Sequence, residues 1–203
     1  MLSMNAMHSP TAPRHTPTSP DAFEAIYRSS PDPWNFASSP YEQFRYLTTV
    51  ESLQRRRYGT AFEPGCSVGA LTVRLAALCE RVIATDIAPS AVERARGRCK
   101  RLQNVSVRLA EGLTDLPDGP VELIVFSEIG YYFDEVVLER YANALAAHLQ
   151  SGGEFVAVHW LGTSPDHVLH GDVVHETLKA VLPLSWVQGT RHNGFRIDSW
   201  LCT

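Results

Sequence analysis

Apolar positions along the 203-residue chain fall into two alternating kinds of run. Short dense stretches lie at Thr60 to Glu63, Arg81 to Thr85, Val105 to Leu109, Leu123 to Ser127 and Glu154 to His159. Longer stretches with apolar residues three and four apart lie at Val68 to Cys79, Ser90 to Leu102 and Asp134 to Leu149. The first kind reads as buried strands and the second as amphipathic helices. Strands alternating with helices of this length predict an α/β fold, a parallel sheet with helices on both faces. Leu123-Ile124-Val125-Phe126 is apolar at every position, as a strand covered on both faces must be.

The two ends of the chain are patterned differently. Asp21 to Arg28 predicts a helical turn or two, interrupted by Pro31-Asp32-Pro33-Trp34. Ser39-Pro40-Tyr41-Glu42 then supplies an N-cap, a proline at the first helical position and a glutamate for a capping box. Tyr46, Leu47, Val50 and Leu53 keep helical spacing, and the expected helix runs to about Arg57, with Arg55, Arg56 and Arg57 at its negative end. Near the other terminus, Asp172 is placed to cap a helix over 173–182 that Pro183 stops. Leu184 to Thr190 and Phe195 to Cys202 flank Arg191-His192-Asn193-Gly194, and an Asn-Gly turn between β-like runs predicts a hairpin. The parallel unit therefore closes with an antiparallel pair.

Composition bounds this picture to one domain and a tail. Seven of the thirteen prolines fall in the first forty residues, so residues 1–20 are expected to be a disordered tail, 21–57 a helical segment over the core, and 58–203 the core itself. Eighteen Lys and Arg against 22 Asp and Glu give a net charge of −4, which argues against a general electrostatic hold on nucleic acid or an anionic membrane. A small molecule or saccharide is the expected partner. Neither a secretory leader nor a membrane-length apolar run is legible, and the expected location is cytoplasmic. Cys66, Cys79, Cys99 and Cys202, spaced 13, 20 and 103 residues apart, match no zinc or disulfide pattern and read as free thiols.

The chemistry concentrates at Phe62-Glu63-Pro64-Gly65-Cys66-Ser67-Val68-Gly69, where a strand passes through a glycine turn into a helix. Gly65 and Gly69 let the backbone approach a ligand, and Asp86 ends the next strand, where an acid receives ribose hydroxyls. The glycine spacing is G-x-x-x-G rather than the dinucleotide G-x-G-x-x-G, and Glu63 would repel a pyrophosphate but attract an ammonium. S-adenosylmethionine fits those charges better than a nicotinamide cofactor. Pro64 lacks an N–H, so the last ladder bond of its strand is absent or lies where strands part.

With Asp32-Pro33-Trp34, Tyr41-Glu42-x-x-Arg45-Tyr46 and Ser127-Glu128-Ile129-Gly130-Tyr131-Tyr132, this motif resembles a class I S-adenosylmethionine-dependent methyltransferase of the NodS-like family, the nodulation-type N-methyltransferases. The resemblance covers roughly residues 30 to 160. It implies a Rossmann-like fold with a mixed seven-stranded sheet and methyl transfer to a nitrogen or oxygen of a small-molecule or saccharide acceptor, in NodS the free amine of a deacetylated chitin oligosaccharide. It also implies that Glu63, Gly65 and Gly69 hold the methionine portion, Asp86 the ribose, and Ile87, Glu111, Gly112 and Leu113 the adenine. Ser127 and Glu128 would flank the reacting methyl.

Further readings concern the periphery of that site. Trp34 is expected as a lid over the cofactor, with Arg45 meeting the cofactor carboxylate. Glu128 and His159, each at a strand end on the ligand-binding edge, are the candidate catalytic bases. His159, His167, His170 and His175 with Asp166 and Asp172 form no recognisable metal motif, and His175 reads as a capping or surface residue. Tyr131, Tyr132 and Phe133 are either core or an aromatic wall near a sulfonium. Arg94, Arg98 and Arg101 read as a solvated helix face. Two other classes stay open: a nicotinamide-dependent oxidoreductase, and a non-catalytic S-adenosylmethionine-binding protein.

Overall fold

A computed structural model describes residues 19–110 and 112–203. The expected tail lies outside them except for Ser19 and Pro20, which cap and begin helix α1 (Pro20–Ser29). Helix α2 spans Pro40–Ser52, and the chain then alternates through β1 (Tyr58–Pro64), α3 (Ala70–Ala76), β2 (Cys79–Asp86), α4 (Pro89–Cys99), β3 (Val105–Leu109), β4 (Val121–Ser127), α5 (Glu135–Ala146), β5 (Leu149–Trp160), α6 (Gly171–Val181), β6 (Ser185–Arg191) and β7 (Phe195–Leu201). The seven strands form one sheet in the order β3-β2-β1-β4-β5-β7-β6. Neighbours from β3 to β5 are parallel, while β7 runs antiparallel to both β5 and β6. The expected mixed sheet and closing hairpin are both present.

Alternation along the central strands divides the core between two faces. Phe62, Ile124, Phe126, Phe155 and Trp200 pack on one side with Leu138, Leu145, Val174 and Leu178 of α5 and α6. Ala61, Leu123, Val125, Val156 and Ile197 point to the other, against Tyr46, Leu71 and Leu75 of α2 and α3. Cys66, Cys79 and Cys99 are buried free thiols and Cys202 is half-buried. Among the described residues no helix is long and apolar enough to cross a membrane.

Several boundaries move, each for a tertiary reason. Helix α2 stops at Ser52 rather than near Arg57, because Gln54 N–H donates to the buried Glu154 carboxylate at 3.1 Å and Arg55 N–H to the Tyr58 hydroxyl at 3.0 Å. The Arg55 side chain then reaches Glu122 and the Gly152 carbonyl instead of facing a helix dipole. Glu42 pairs with Arg45 instead of completing a capping box. Helix α6 is capped by the His170 ring, whose Nδ1 accepts Asp172 N–H at 3.2 Å, while Asp172 itself pairs with Arg191. Arg98 and Arg101 are exposed as expected, while Arg94 is half-buried, and Arg94 and Arg98 also donate to the carbonyls of Ser30 and Val68.

One feature of the sheet positions the site. Strands β1 and β2 stay paired as far as Pro64 and Thr85, but β1 and β4 pair only at Ala61 with Leu123 and Phe62 with Ile124. Beyond those pairs the two strands part, and Pro64, which has no N–H to offer, stands at the opening. The parting is the switch point of the parallel strand order, where open α/β sheets bind ligands. Phe126 braces the floor beneath it, fully buried against Tyr141, Phe155 and His159. Replacement of Phe126 by Ala is expected to cost about 3–5 kcal/mol, read as a lower urea midpoint, and a loss under about 1 kcal/mol would contradict this packing.

Candidate functional site

The cleft at the parting of β1 and β4 has about 320 Å³ of empty volume and is lined by Phe36, Arg45, Tyr46, Glu63, Gly65 to Val68, Ala70, Leu71, Ser127 and Glu128. Its back wall is the glycine turn. Gly65, Ser67 and Gly69 all have positive φ, at 72°, 52° and 76°. At Gly65 a Cβ would come within 2.3 Å of the Ile129 side chain, so the turn after β1 packs directly on the turn after β4. Gly69 serves from behind, its backbone against Ala95 of α4.

Asp86 holds this turn from the side. Its Oδ2 accepts Ser67 N–H at 2.8 Å and its Oδ1 accepts Ala88 N–H at 3.0 Å. Burial raises its carboxyl to about 6 against those backbone donors. Tyr27 of α1 closes the same turn with a hydroxyl hydrogen bond of 2.6 Å to Ser67 Oγ. Sequence reading missed Tyr27, Phe36 and Ser67. Only Ser67 carried a signal, as the middle residue of the glycine motif.

Glu63 lies 3% exposed at the end of β1, with Thr72 Oγ1 donating to its Oε2 at 2.6 Å. Burial raises its carboxyl to about 8, opposed by Thr72 and reinforced by the charge of Asp86. The chain alone thus holds a protonated acid near neutral pH. Arg45, 1% exposed, is shared between Glu42 and Glu128, the latter at 2.6 Å. Burial pushes Glu42 up to about 6, with Arg45 pulling it down. Above that pH the trio of two carboxylates and one guanidinium is net negative. The Nε of Arg45 is buried with no hydrogen-bond partner.

Glu128 has φ 62° and is tied on every side. Its Oε1 accepts Trp160 N–H at 2.7 Å, and its Oε2 accepts the Tyr131 hydroxyl at 2.9 Å beside the Arg45 contact. Tyr131 is buried, stacked on His167 at 3.7 Å with the planes 17° apart.

The fold therefore gathers Arg45, Glu63, Gly65, Ser127 and Glu128 in one cleft and sets Gly69 and Asp86 behind and beside it. Other expected residues fall elsewhere. Trp34 does not line the cleft, because the Asp32 carboxylate accepts Phe36 and Ala37 N–H and turns the segment so that Phe36 faces inward. Trp34 instead stacks on Phe36 and meets Tyr27 edge-on, over Val68, Ala88 and Ala91. Ile87, Gly112 and Leu113 lie outside the lining, and Glu111 lies outside the described residues. His159 is fully buried with both ring nitrogens in hydrogen bonds, to Gly130 N–H and to His175, which leaves no lone pair for a general base. His175, expected to cap its helix or lie at the surface, is fully buried and bonded to His159 and Asp198 instead. No cluster of three metal-ligating side chains exists among the described residues.

Residues 26–169 match the family model described as nodulation protein S (NodS). The chain is 37% identical over 109 residues to nodulation protein S of Bradyrhizobium diazoefficiens, covering 52% of this chain and 51% of that protein. It is 30% identical over 140 residues to nodulation protein S of Rhizobium tropici, covering 67% and 59%. The match thus spans between half and three-fifths of these relatives. Among solved structures, a Pseudomonas syringae protein provisionally assigned as a methyltransferase is 32% identical, with a TM-score of 0.72 over 79% of this chain and 98% of that one. The N-methyltransferase NodS of Bradyrhizobium japonicum WM9, solved with S-adenosylhomocysteine, shares the fold at 23% identity and a TM-score of 0.76, over 89% and 97%.

Glu63 makes stability fall as pH rises. Its folded carboxyl keeps the proton up to about 8 while an unfolded one releases it near 4.5, so the folded state binds more protons throughout that window. The contribution is full below 4.5 and is lost progressively toward 8. Chemical denaturation of wild type and Glu63→Gln across this range is expected to show a steeper loss in the wild type, the variant keeping only the smaller loss that Asp86 and Glu42, both raised to about 6, contribute. Parallel pH profiles would refute the assignment.

Proposed function

The chain belongs to the nodulation protein S (NodS) family, and from that premise we propose that it is an S-adenosylmethionine-dependent methyltransferase acting on an amine of a small-molecule or saccharide acceptor. One observation carries the reading: a glycine turn, a buried acid and the Arg45–Glu128 ion pair share one cleft at the sheet's switch point. Arg45, the one cation lining the cleft among the described residues, is already shared by Glu42 and Glu128, which leaves a doubly charged pyrophosphate without a counter-charge and disfavours a nicotinamide cofactor. An amino acid joined to a nucleoside suits the same charges, with its ammonium on Glu63 and its carboxylate toward Arg45 and its orphaned Nε. Gly65 gives the backbone approach, Gly69 lets α4 close on the turn from behind, and Asp86 takes the ribose. Ile87, Glu111, Gly112 and Leu113 follow β2 and β3 and are assigned to the adenine by family resemblance.

When bound, S-adenosylmethionine supplies an electrophilic methyl group on a sulfonium. In the displacement the methyl–sulfur bond breaks as the methyl–nitrogen bond forms and the positive charge passes from sulfur to the methylated amine, so no anion develops and the protein contributes alignment and exclusion of water rather than an oxyanion hole. Ser127 and Glu128 stand where the acceptor would approach. Glu128 is already neutralised by Arg45 and hydrogen-bonded through both oxygens, so its role is to accept an N–H of an incoming neutral amine and aim its lone pair. A glucosamine oligomer, the acceptor type that the resemblance implies, presents such an amine. The protein's location is proposed to be cytoplasmic.

Calorimetry with S-adenosylhomocysteine against NAD tests the cofactor. Because Glu63 is protonated in the chain alone and must ionise to pair with an ammonium, S-adenosylhomocysteine binding at pH 7 is expected to release about one proton, seen as a dependence of heat on buffer ionisation. Glu63→Gln removes that release. Binding of NAD alone would overturn the proposal. Methyl transfer from labelled donor to glucosamine oligomers tests the acceptor, and binding without transfer to any amine would favour the non-catalytic alternative.

A further inference from the structure

The buried His159 sits in a chain of hydrogen bonds that crosses three elements. Its Nε2 accepts Gly130 N–H at 3.0 Å, and its Nδ1 faces His175 Nε2 of α6 at 3.2 Å. His175 Nδ1 faces Asp198 Oδ2 of β7 at 2.7 Å, and Arg196 Nε donates to that oxygen at 2.8 Å. The first donor fixes the direction of all the rest. A backbone N–H can only donate, so His159 carries its proton on Nδ1, His175 must accept at Nε2, and the His175 proton on Nδ1 goes to the carboxylate. Burial holds both rings below the ordinary imidazole range, reinforced for His159 by His175, Arg45 and His167, and opposed for His175 by Asp198. The contact at the loop end is close: a Cβ on Gly130 would lie 2.8 Å from His159 Nε2 and 2.5 Å from Val174.

We infer that His159, His175 and Asp198 form a positioning relay that fixes the Gly130 N–H and, through it, the Glu128–Tyr131 corner of the cleft. The inference rests on the reading of that cleft as the cofactor site. Gly130 lies two residues beyond Glu128, whose left-handed backbone turns β4 into the corner. Tyr131 follows directly, its hydroxyl on Glu128 and its ring edge-on to His159 at 5.5 Å. A proton on His159 Nε2, by exchange to the other tautomer or by charging of the ring, would set two N–H groups against each other and release the corner. The charged and titratable groups around the ring are His175 from α6, Asp198 and Arg196 from β7, Arg45 from α2, and Glu128, Tyr131 and His167 from the loops. Both α6 and β7 lie beyond residue 169, where the family match ends, so the relay is completed by a part of the chain that the family model does not cover.

Nuclear magnetic resonance of the ¹⁵N-labelled chain tests the relay directly. Nitrogen–nitrogen couplings are expected across the Gly130–His159 and His159–His175 hydrogen bonds, and both rings should stay neutral from pH about 8 to about 6, where ordinary imidazoles titrate. His175→Leu leaves the His159 Nδ1–H buried without an acceptor and is expected to weaken S-adenosylhomocysteine about 10-fold, whereas His175→Gln, which keeps an acceptor, should stay within about 3-fold of wild type. A His159 proton on Nε2, or a folded His175→Leu with wild-type affinity, overturns the inference. If His175→Leu does not fold, the couplings in the unmodified chain and the affinity of the Gln variant decide. A wild type that shows the couplings but binds no S-adenosylhomocysteine defeats the cofactor reading and leaves the relay standing.

Discussion

Where β1 and β4 part, each backbone donor that leaves the ladder has to find an acceptor elsewhere, since an orphaned buried N–H costs about as much as a lost hydrogen bond. The site is built from those substitutions. Cys66 N–H and Glu128 N–H still follow the intact ladders, to the carbonyls of Thr85 on β2 and Val158 on β5, but the donors beyond them need side chains. Ser67 N–H is received by Asp86, Trp160 N–H by Glu128, and Gly130 N–H by His159. Pro64 has no donor to place and stands at the opening. Three of the side chains that sequence reading marked as chemical are thus also the acceptors that let the sheet open at all.

Such double use concentrates buried charge. Glu63, Arg45, Asp86 and Asp198 are all 7% exposed or less, and burial acts against the charged form of each. The molecule deals with them in different ways. Arg45 keeps its charge by sharing two carboxylates, Asp198 keeps its own with His175 and Arg196, and Glu63 gives its charge up. Only Glu63 has its charge withheld while it lines the cleft, so it is the group most improved by an arriving cation. Destabilisation of this kind is what a binding site retains and a purely structural position would lose.

The strand and helix alternation, the glycine turn and the closing hairpin were legible because each is written in local spacing. Pro64 pointed to an absent ladder bond or a parting of the strands, since a missing N–H is a property of one residue, and it stands at the parting. What stayed hidden depended on partners far along the chain. The early stop of α2 needs Glu154, a hundred residues beyond the Gln54 N–H that it receives. Trp34 was read as the cover because it stands among prolines in a polar region just before a well-capped helix, yet Asp32 bonds the backbone so that Phe36 enters the cleft. His159 was placed at the correct edge of the sheet and given the wrong task, since its neighbours His175 and Asp198 lie 16 and 39 residues away.

The closing hairpin was expected only as a topological end, but it carries part of the site's rigidity. Antiparallel β7 pairs with β5 from Glu154 to Trp160, which fixes the strand whose end supplies both His159 and the Trp160 N–H. The same strand turns Asp198 inward toward α6, and at the hairpin turn Gly194 packs on Tyr41 while its carbonyl accepts Leu161 N–H at 2.8 Å. Tyr41 lies beside Arg45, with the guanidinium 5.8 Å from its ring. The last strand therefore touches the cleft from two directions, through the relay to Gly130 and through Tyr41 to Arg45. Both routes end on Glu128, which is why a region outside the family match still bears on the residue closest to the proposed chemistry.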